Sequence, residues 1–503
     1  MTWKIAALLL AGCFALALLA SPANADRRQQ TIFDATNDLL LAPSEAARHT
    51  VLDHLQSLGV DTVRIVVPWR SIVPEPDSPQ VPEGFDPTDP GDYEGGVLNS
   101  VDQSIRGADE RGMRVLLTPS APIPNWASAS GSSSLADPQP EAYEQLLIGL
   151  GKRYDGTFGC LLPPVCFSGV PPVQIGGLPI DLDQLAQLGV KLNPLPRVDF
   201  WSVWNEPNLD LFLRPQFRRG KPVVGTLYRR LFLAAQEGLR QSGHGSDPVL
   251  IGETSPSSGH TSTDPIDFLR QVLCLNSRYR RVGSCEPISA TGWAQHPYDL
   301  RGTPLRVSSG RILGIPSLGR LTGALARAAS AGATTQRLPV YVTEYGVETV
   351  PDPHGVSLAR QAEYIAIAEF LLWRNPQVRS YAQYLLSDDS PTNLFSFQSG
   401  LLTHSGAAKP ALGAFPIALV ARRAGKRVRL WGHLRPGTGP RMVELQARTP
   451  GTAGRRITTL TTDAGGYFGF GARYVRRQRW RAVAQLAGGT LLEGPWVRPY
   501  ALP

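Results

Sequence analysis

The sequence predicts an α/β fold: a closed (β/α)8 TIM barrel followed by a small C-terminal all-β sandwich. Three observations lead there. From about residue 30 to about 422, eight short β-type runs alternate with longer amphipathic stretches, the pattern of parallel strands joined by covering helices. Several of those runs, such as RIVV and VLLT, are continuously apolar, as strands buried on both faces must be. After Arg423 the alternation gives way to short β runs broken by Pro-Gly, Gly-Thr and Ala-Gly-Gly turns, which read as a compact antiparallel module.

The expected barrel strands are TIFDAT (31–36), TVRIVVPW (62–69), RVLLTP (114–119), DFWSVW (199–204), PVLIGE (248–253), ISATGWA (288–294), PVYVTE (339–344) and SYAQYLL (380–386). Between them, SEAARHTVLDHLQSLG places Ala46, Val51, Leu52, Leu55 and Leu58 on one helical face. LYRRLFLAAQEGLRQSG and SLARQAEYIAIAEFLLWRN behave alike, the second stopping at Asn375-Pro376. Residues 157–197, rich in Pro, Gly and Leu, interrupt the repeat and read as a loop insertion. The barrel is thus expected over 26–422. The sandwich is expected over 426–503, with a pattern like an immunoglobulin-type module appended to exported proteins.

The first 25 residues read as a secretory leader. Lys4 precedes the apolar run IAALLLAGCFALALLA, and Ala23-Asn24-Ala25 offers a small-residue cleavage site before Asp26. Leu10-Ala11-Gly12-Cys13 also fits a lipoprotein box, but cleavage there would leave seven further apolar residues on the mature chain. Release after Ala25, into the extracellular space, is the expectation. No later run approaches the ~20 apolar residues of a membrane span, so stable membrane insertion is not expected. Four cysteines follow the leader: Cys160, Cys166, Cys274 and Cys285. They allow three pairings. The two short-range bridges, Cys160–Cys166 and Cys274–Cys285, are expected in an oxidising compartment; a zinc site is disfavoured because no His stands at ligand spacing beside either pair.

At 42% hydrophobic and 18% charged the chain is globular in composition, which excludes disorder and fibres. Its net charge of +8 comes from cations that look scattered apart from short clusters near Arg229 and Arg476. A generally basic surface is expected, and a nucleic-acid partner is not. A monomer is expected.

Two carboxylates carry the chemical argument. DFWSVWNEPNLDLF (199–212) runs an apolar, aromatic strand into Asn205-Glu206-Pro207-Asn208. Pro207 cannot continue a ladder, which puts Glu206 at the C-terminal edge of the strand. LPVYVTEYG (338–346) likewise ends an apolar strand on Glu344 just before a glycine. That edge is where barrel enzymes keep their reacting groups. Two carboxylates facing each other there suit glycoside hydrolysis, in which one protonates the departing oxygen while the other attacks or activates water. Glu253, which ends a strand too, is the rival carboxylate, and Glu348, four residues past Glu344, is expected to face a loop. There is no Gly-rich phosphate loop, no H-E-x-x-H and no Ser nucleophile elbow, so neither metal nor organic cofactor is implied.

With Trp204-Asn205-Glu206-Pro207-Asn208 and Glu344 so placed, the barrel resembles clan A of the glycoside hydrolases, and in the form of this motif family 39 and its relatives, with families 5 and 42 in the same clan. The resemblance implies a carbohydrate substrate, by default β-linked, and hydrolysis with retention, Glu206 acting as general acid/base and Glu344 as nucleophile. It further implies that Asn205 bonds the sugar 2-hydroxyl, that Arg64 supports the nucleophile, and that His296 and Tyr298 in AQHPYD contact the nucleophile and the sugar. Trp69 and Trp126 fit either pyranose platforms or barrel-rim packing. The chain departs from the family in two places. SYAQYLLSDD offers Gln383, Tyr384 and Asp388 where a tryptophan often stands after strand eight, and TPSAPIPNW lacks the histidine of family 5. A non-catalytic carbohydrate-binding protein and a transglycosylase are the alternatives, and the terminal module is expected to be dispensable for chemistry.

Overall fold

The structure is a computed structural model. It describes residues 29–162, 165–166, 174–175, 178–179, 193–256, 261–299, 303–306, 311–391, 396–485, 489 and 491–502, with side chains for all of these outside 160–193. The leader expected at 1–25 lies outside the described residues.

Eight parallel strands form one sheet: β1 (Gln30–Asp34), β2 (Thr62–Pro68), β3 (Arg114–Ser120), β4 (Trp201–Ser202), β5 (Val249–Thr254), β6 (Gly292–Gln295), β7 (Val340–Val342) and β8 (Ser380–Tyr384). They are ordered 7-6-5-4-3-2-1-8. The two ends meet through a parallel bridge between Val340 and Val378, with Val340 N donating to Gln377 O at 2.7 Å. The sheet therefore closes into the expected barrel.

The covering helices are α1 (Glu45–Ser57), α2 (Gly96–Asp109), α3 (Pro140–Arg153), α4 (Val224–Gln241), α5 (Pro265–Val272), α6 (Leu318–Ser330) and α7 (Leu358–Trp373). Local chemistry fixes their ends. Ser44 Oγ accepts from Ala47 N at 3.1 Å to cap α1, and Asp264 caps α5 ahead of Pro265. Among the described residues no helix is long and apolar enough to cross a membrane.

Two strands are shorter than their apolar runs. β4 keeps two residues of the expected 199–204, and β7 keeps three of 339–344. Past β4 the backbone leaves the ladder: Trp204 and Glu206 take φ of 66° and 41°, a left-handed region that costs non-glycine residues about 1–3 kcal/mol and clusters at functional sites. β6 begins later than expected because Ile288 bridges to Thr334 before the strand forms at Gly292.

After a short helix, α8 (Pro410–Ala414), come β9 (Ile417–Ala424), β10 (Arg427–Leu434), β11 (Met442–Arg448), β12 (Arg455–Thr461), β13 (Tyr467–Arg473), β14 (Arg479–Gln485) and β15 (Leu491–Glu493). They make two antiparallel sheets, 9-10-13 and 12-11-14-15, around a core of Leu419, Val428, Leu430, Leu445, Phe468 and Trp480. The β-domain therefore starts earlier than residue 426. The run IALVARRA, which the sequence left in the barrel, pairs residue for residue with β10, because its alternate side chains (Ile417, Leu419, Ala421) face the sandwich core. The opposite face of the same sheet lays Ala418, Val420, Trp431 and Tyr467 on the barrel.

At the junction, Glu369 of α7 is buried between His433 and Arg435, each 2.6 Å away. Arg435 also reaches Thr31 Oγ1 at 3.1 Å and the carbonyl of Phe415. Of the insertion read at 157–197, the described backbone pairs Gly159–Leu162 with Val165–Cys166 and with Asn193–Pro194. The Cys160–Cys166 bridge lies outside the described side chains, whereas Cys274–Cys285 is bonded.

Candidate active site

The site is assembled by the strands themselves. Arg64 does not end β2 but sits third in it, pointing into the barrel with no exposed surface. Its register partner on β1 is Asp34, and the two side chains form a buried ion pair. The other bonds of its guanidinium reach Glu253 Oε2 (2.9 Å), Glu344 Oε2 (3.1 Å) and Asn205 Oδ1 (2.7 Å). One side chain thus ties together β1, β2, β5 and the ends of β4 and β7. With Oδ1 of Asn205 occupied, its amide nitrogen is left for a ligand.

Glu253, the rival carboxylate of the sequence, is fully buried beneath the pocket. A bulge turns it inward: the β5–β6 register shifts between Ile251 and Thr254, and Gly252 takes φ 114°, where a Cβ would collide with the Trp293 ring. Glu253 accepts from Ser202 Oγ (2.5 Å), Thr343 Oγ1 (2.9 Å) and His296 Nε2 (2.7 Å). Burial alone would raise its pKa, but Arg64 and His296 override burial and hold it at about 2. It is a fixed negative charge that positions its neighbours.

Glu206 and Glu344 face each other across the pocket mouth. An oxygen of each and a ring nitrogen of His296 all lie within 4.8 Å of one another. Glu206 Oε1 is 2.9 Å from His296 Nδ1, and Tyr298 donates its hydroxyl to Glu344 Oε1 at 2.7 Å. Burial, then the like charges of Glu206 and Asp34, push Glu344 up to about 7 against the pull of His296 and Arg64. Burial would strip the proton from His296, yet Glu344, Glu206 and Glu253 around it hold its pKa at about 10. Glu206, Glu344 and His296 each bring to this cluster one atom that could ligate a metal, and the hydrogen bonds above engage the same groups. The trio is a proton-bearing network.

The pocket, 320 Å³ in volume, is walled by Tyr298, Tyr345 and Phe397 and continues past Glu344 to Glu348 and Asp352. Glu348 accepts from the backbone of Gln398 at 2.6 Å, and burial pushes it up to about 7. It meets the 396–398 loop, and it also lines the pocket. Tyr384, where the resemblance leads one to expect a tryptophan, stands edge-on to Tyr298 at 6.4 Å. Trp69 and Trp126 are placed elsewhere. They pack edge-to-face on each other at 5.7 Å, with Tyr143 and Phe85 alongside, at the rim. Of the sequence candidates, Glu206, Glu344, Asn205, Arg64, His296 and Tyr298 come together and the two tryptophans do not. Asp34, Ser202 and Thr343 were missed, although a lone Asp inside the apolar run TIFDAT was a readable signal.

The architecture has matches among solved structures. A glucosidase from Croceicoccus marinus superposes over 92% of this chain and 96% of its own, with a TM-score of 0.52 at 12% identity. The chain shares the fold of that structure. A family 39 glycoside hydrolase from Bacteroides cellulosilyticus WH2 matches over 91% of this chain and 81% of its own (TM-score 0.48, 13% identity). A GH5_18 protein from Streptomyces cattleya matches over 77% and 79% (0.46, 16%). No family model and no curated protein sequence matches the chain.

Proposed function

We propose that the protein is an exported, retaining glycoside hydrolase that cleaves O-glycosidic bonds of a poly- or oligosaccharide by double displacement. The observation that carries this reading is the approach of Glu206 and Glu344, whose nearest oxygens lie within 4.8 Å. Retaining enzymes keep their carboxyls about 5–5.5 Å apart, while inverting ones leave ~6.5–9.5 Å for a water.

In this mechanism Glu344 attacks the anomeric carbon as Glu206 protonates the leaving oxygen. Glu206 then deprotonates the water that releases the sugar. Arg64 and Tyr298 donate to Glu344, which orients its attacking oxygen, and the amide nitrogen of Asn205 is free for a sugar hydroxyl. Among the described residues the pocket wall supplies Glu348, Asp352 and Asp299 but no Arg or Lys. That lining offers a uronate or sulfated sugar no cationic partner, which favours a neutral sugar at the reacting position.

The two single substitutions separate the roles. Glu344→Ala forms no glycosyl-enzyme on any substrate. Glu206→Ala keeps the first step on an activated aryl glycoside, and azide, needing no general base, restores turnover as a glycosyl azide of retained configuration. An inverted product, or azide rescue confined to Glu344→Ala, would sink the assignment.

A further inference from the structure

The cations look scattered along the chain, but its net positive charge is concentrated in one domain. Residues 417–503 hold 16 Lys and Arg against 3 Asp and Glu, a net +13 in a chain whose total is +8. Strand pairing gathers several of them on one face. In β9-β10-β13, Arg422 lies directly opposite Arg429, and Arg427 directly opposite Arg473. Directly opposed residues share a face of the sheet, as do residues two apart along a strand, so all four project together. Among the described residues none of the four has an ion-pair partner. Like charges directly opposed cost stability, so this arrangement works against the fold unless something anionic covers it.

The same face leads into a cleft. Towards the barrel, Trp431 follows Arg429 in alternation, and Gly469 and Gly471 of β13 oppose them and leave the surface flat. A cavity of 360 Å³ opens there between the sheet and helix α7, walled by Phe370, Trp373, Trp431 and Tyr467, with Arg422 and Arg429 also lining it. Its one carboxylate, Asp463, already accepts from the backbones of Gly465 and Tyr467 at 2.9 Å. Trp431 is almost wholly buried, and its indole N–H has no acceptor.

The cleft lies at the end of the barrel opposite the catalytic mouth. Trp373 is the last residue of α7, level with the strand starts. Tyr467 accepts from the backbone of Gln29, just ahead of β1, at 3.3 Å.

We propose that this face is a binding site for an acidic polysaccharide, distinct from the catalytic pocket. Guanidiniums spaced about 5 Å across strands and about 7 Å along them can pair with carboxylates repeated along a uronate chain, in the planar geometry that arginine favours. The aromatic cleft beside them takes the C–H faces of the sugars. Trp431 and Tyr467 are almost wholly buried, so these rings cannot protrude into a bilayer, and nucleic acid is an outcome of the experiment below. The proposal does not depend on the catalytic reading. Its consequence is an enzyme held by one end while the mouth stays free.

The experiment measures binding of the full exported chain to polygalacturonate, fully methyl-esterified polygalacturonate, duplex DNA and phosphatidylglycerol vesicles at fixed ionic strength. Polygalacturonate should bind at least about tenfold more tightly than its ester, in which the same sugars have lost their charge. The double variant Arg429→Ser/Arg473→Ser should lose that advantage while turnover of a small aryl glycoside stays unchanged. Arg422→Ser/Arg427→Ser should behave alike. Arg455→Ser/Arg456→Ser, which removes two exposed cations from the other sheet, should change binding less than twofold. Because the opposed arginines repel, both active-face variants should melt no lower than the parent, which a merely structural role would not give. An equal loss from the Arg455/Arg456 control, equal binding of the ester, or tighter binding to DNA or vesicles overturns the proposal.

Discussion

Replacing Glu253 by Gln keeps the size of the side chain and removes the fixed charge under the pocket. The cost can be worked from the structure. A carboxyl held at about 2 instead of 4.5 is favoured in its charged form by about 3 kcal/mol. That agrees with the ~3–5 kcal/mol for breaking a buried ion pair by removing one partner. A barrel of roughly 390 residues has an unfolding entropy of about 0.8 kcal/mol/K, so Tm should fall by about 4 °C. The pH dependence is diagnostic. The folded pKa of Glu253 lies below the unfolded one, so its contribution is complete above about pH 4.5 and is lost as pH falls towards 2. Thermal melts of parent and variant should differ by a constant gap from pH 8 to pH 5, and the gap should narrow below pH 4.5. No gap at pH 7, or one that persists unchanged at pH 3, would refute the electrostatic account of this residue.

Four other outcomes are expected. Tyr298→Phe deletes the hydroxyl that donates to Glu344 at 2.7 Å and should lower kcat/KM about 10- to 100-fold, with the fold intact by circular dichroism. The acid limb of the kcat/KM profile should lie near pH 7, because burial keeps Glu344 protonated below that value and a protonated carboxyl does not attack; a limb near pH 4.5 would contradict this. Cys274→Ser/Cys285→Ser opens a loop of sequence separation 11 and should cost roughly 2–3 kcal/mol, read by thermal melting. Cutting the chain before Ile417 removes His433 and Arg435 from Glu369 and uncovers Phe370 and Trp373; the truncated barrel should melt lower and aggregate, and any activity it keeps should be on small soluble substrates.

The barrel was legible because its signals are local. Each strand is an apolar run, and α1, α4 and α7 carry their stripes in sequence. Glu206 and Glu344 stood out because each follows an apolar run closed by Pro207 or Gly346, although β4 and β7 themselves stop earlier, at Ser202 and Val342. What escaped depends on which strands lie side by side. Glu253 looked like a competing catalytic acid because nothing in PVLIGE announces the bulge at Gly252 that sinks it under the site. Asp34 pairs with Arg64 through a register between β1 and β2 that no single segment contains. The aromatic rings of Trp69 and Trp126 suit a sugar or a core equally, and the choice was made by Tyr143 and Phe85, remote in sequence. The start of the β-domain was misplaced because IALVARRA serves two cores at once, one on each face.

The guanidinium of Arg64 has a consequence for how this molecule can change. Its partners stand on barrel strands or at their ends, so the geometry around Glu344 is braced from below and, among the described residues, borrows nothing from the long connection at 70–99. That connection can lengthen, shorten or be exchanged while the two glutamates stay in register. On the proposed glycosidase reading, what the site admits is thus uncoupled from its chemistry, and a library randomised in that loop alone should yield new substrate preferences without a repeated search for a working pair of carboxylates.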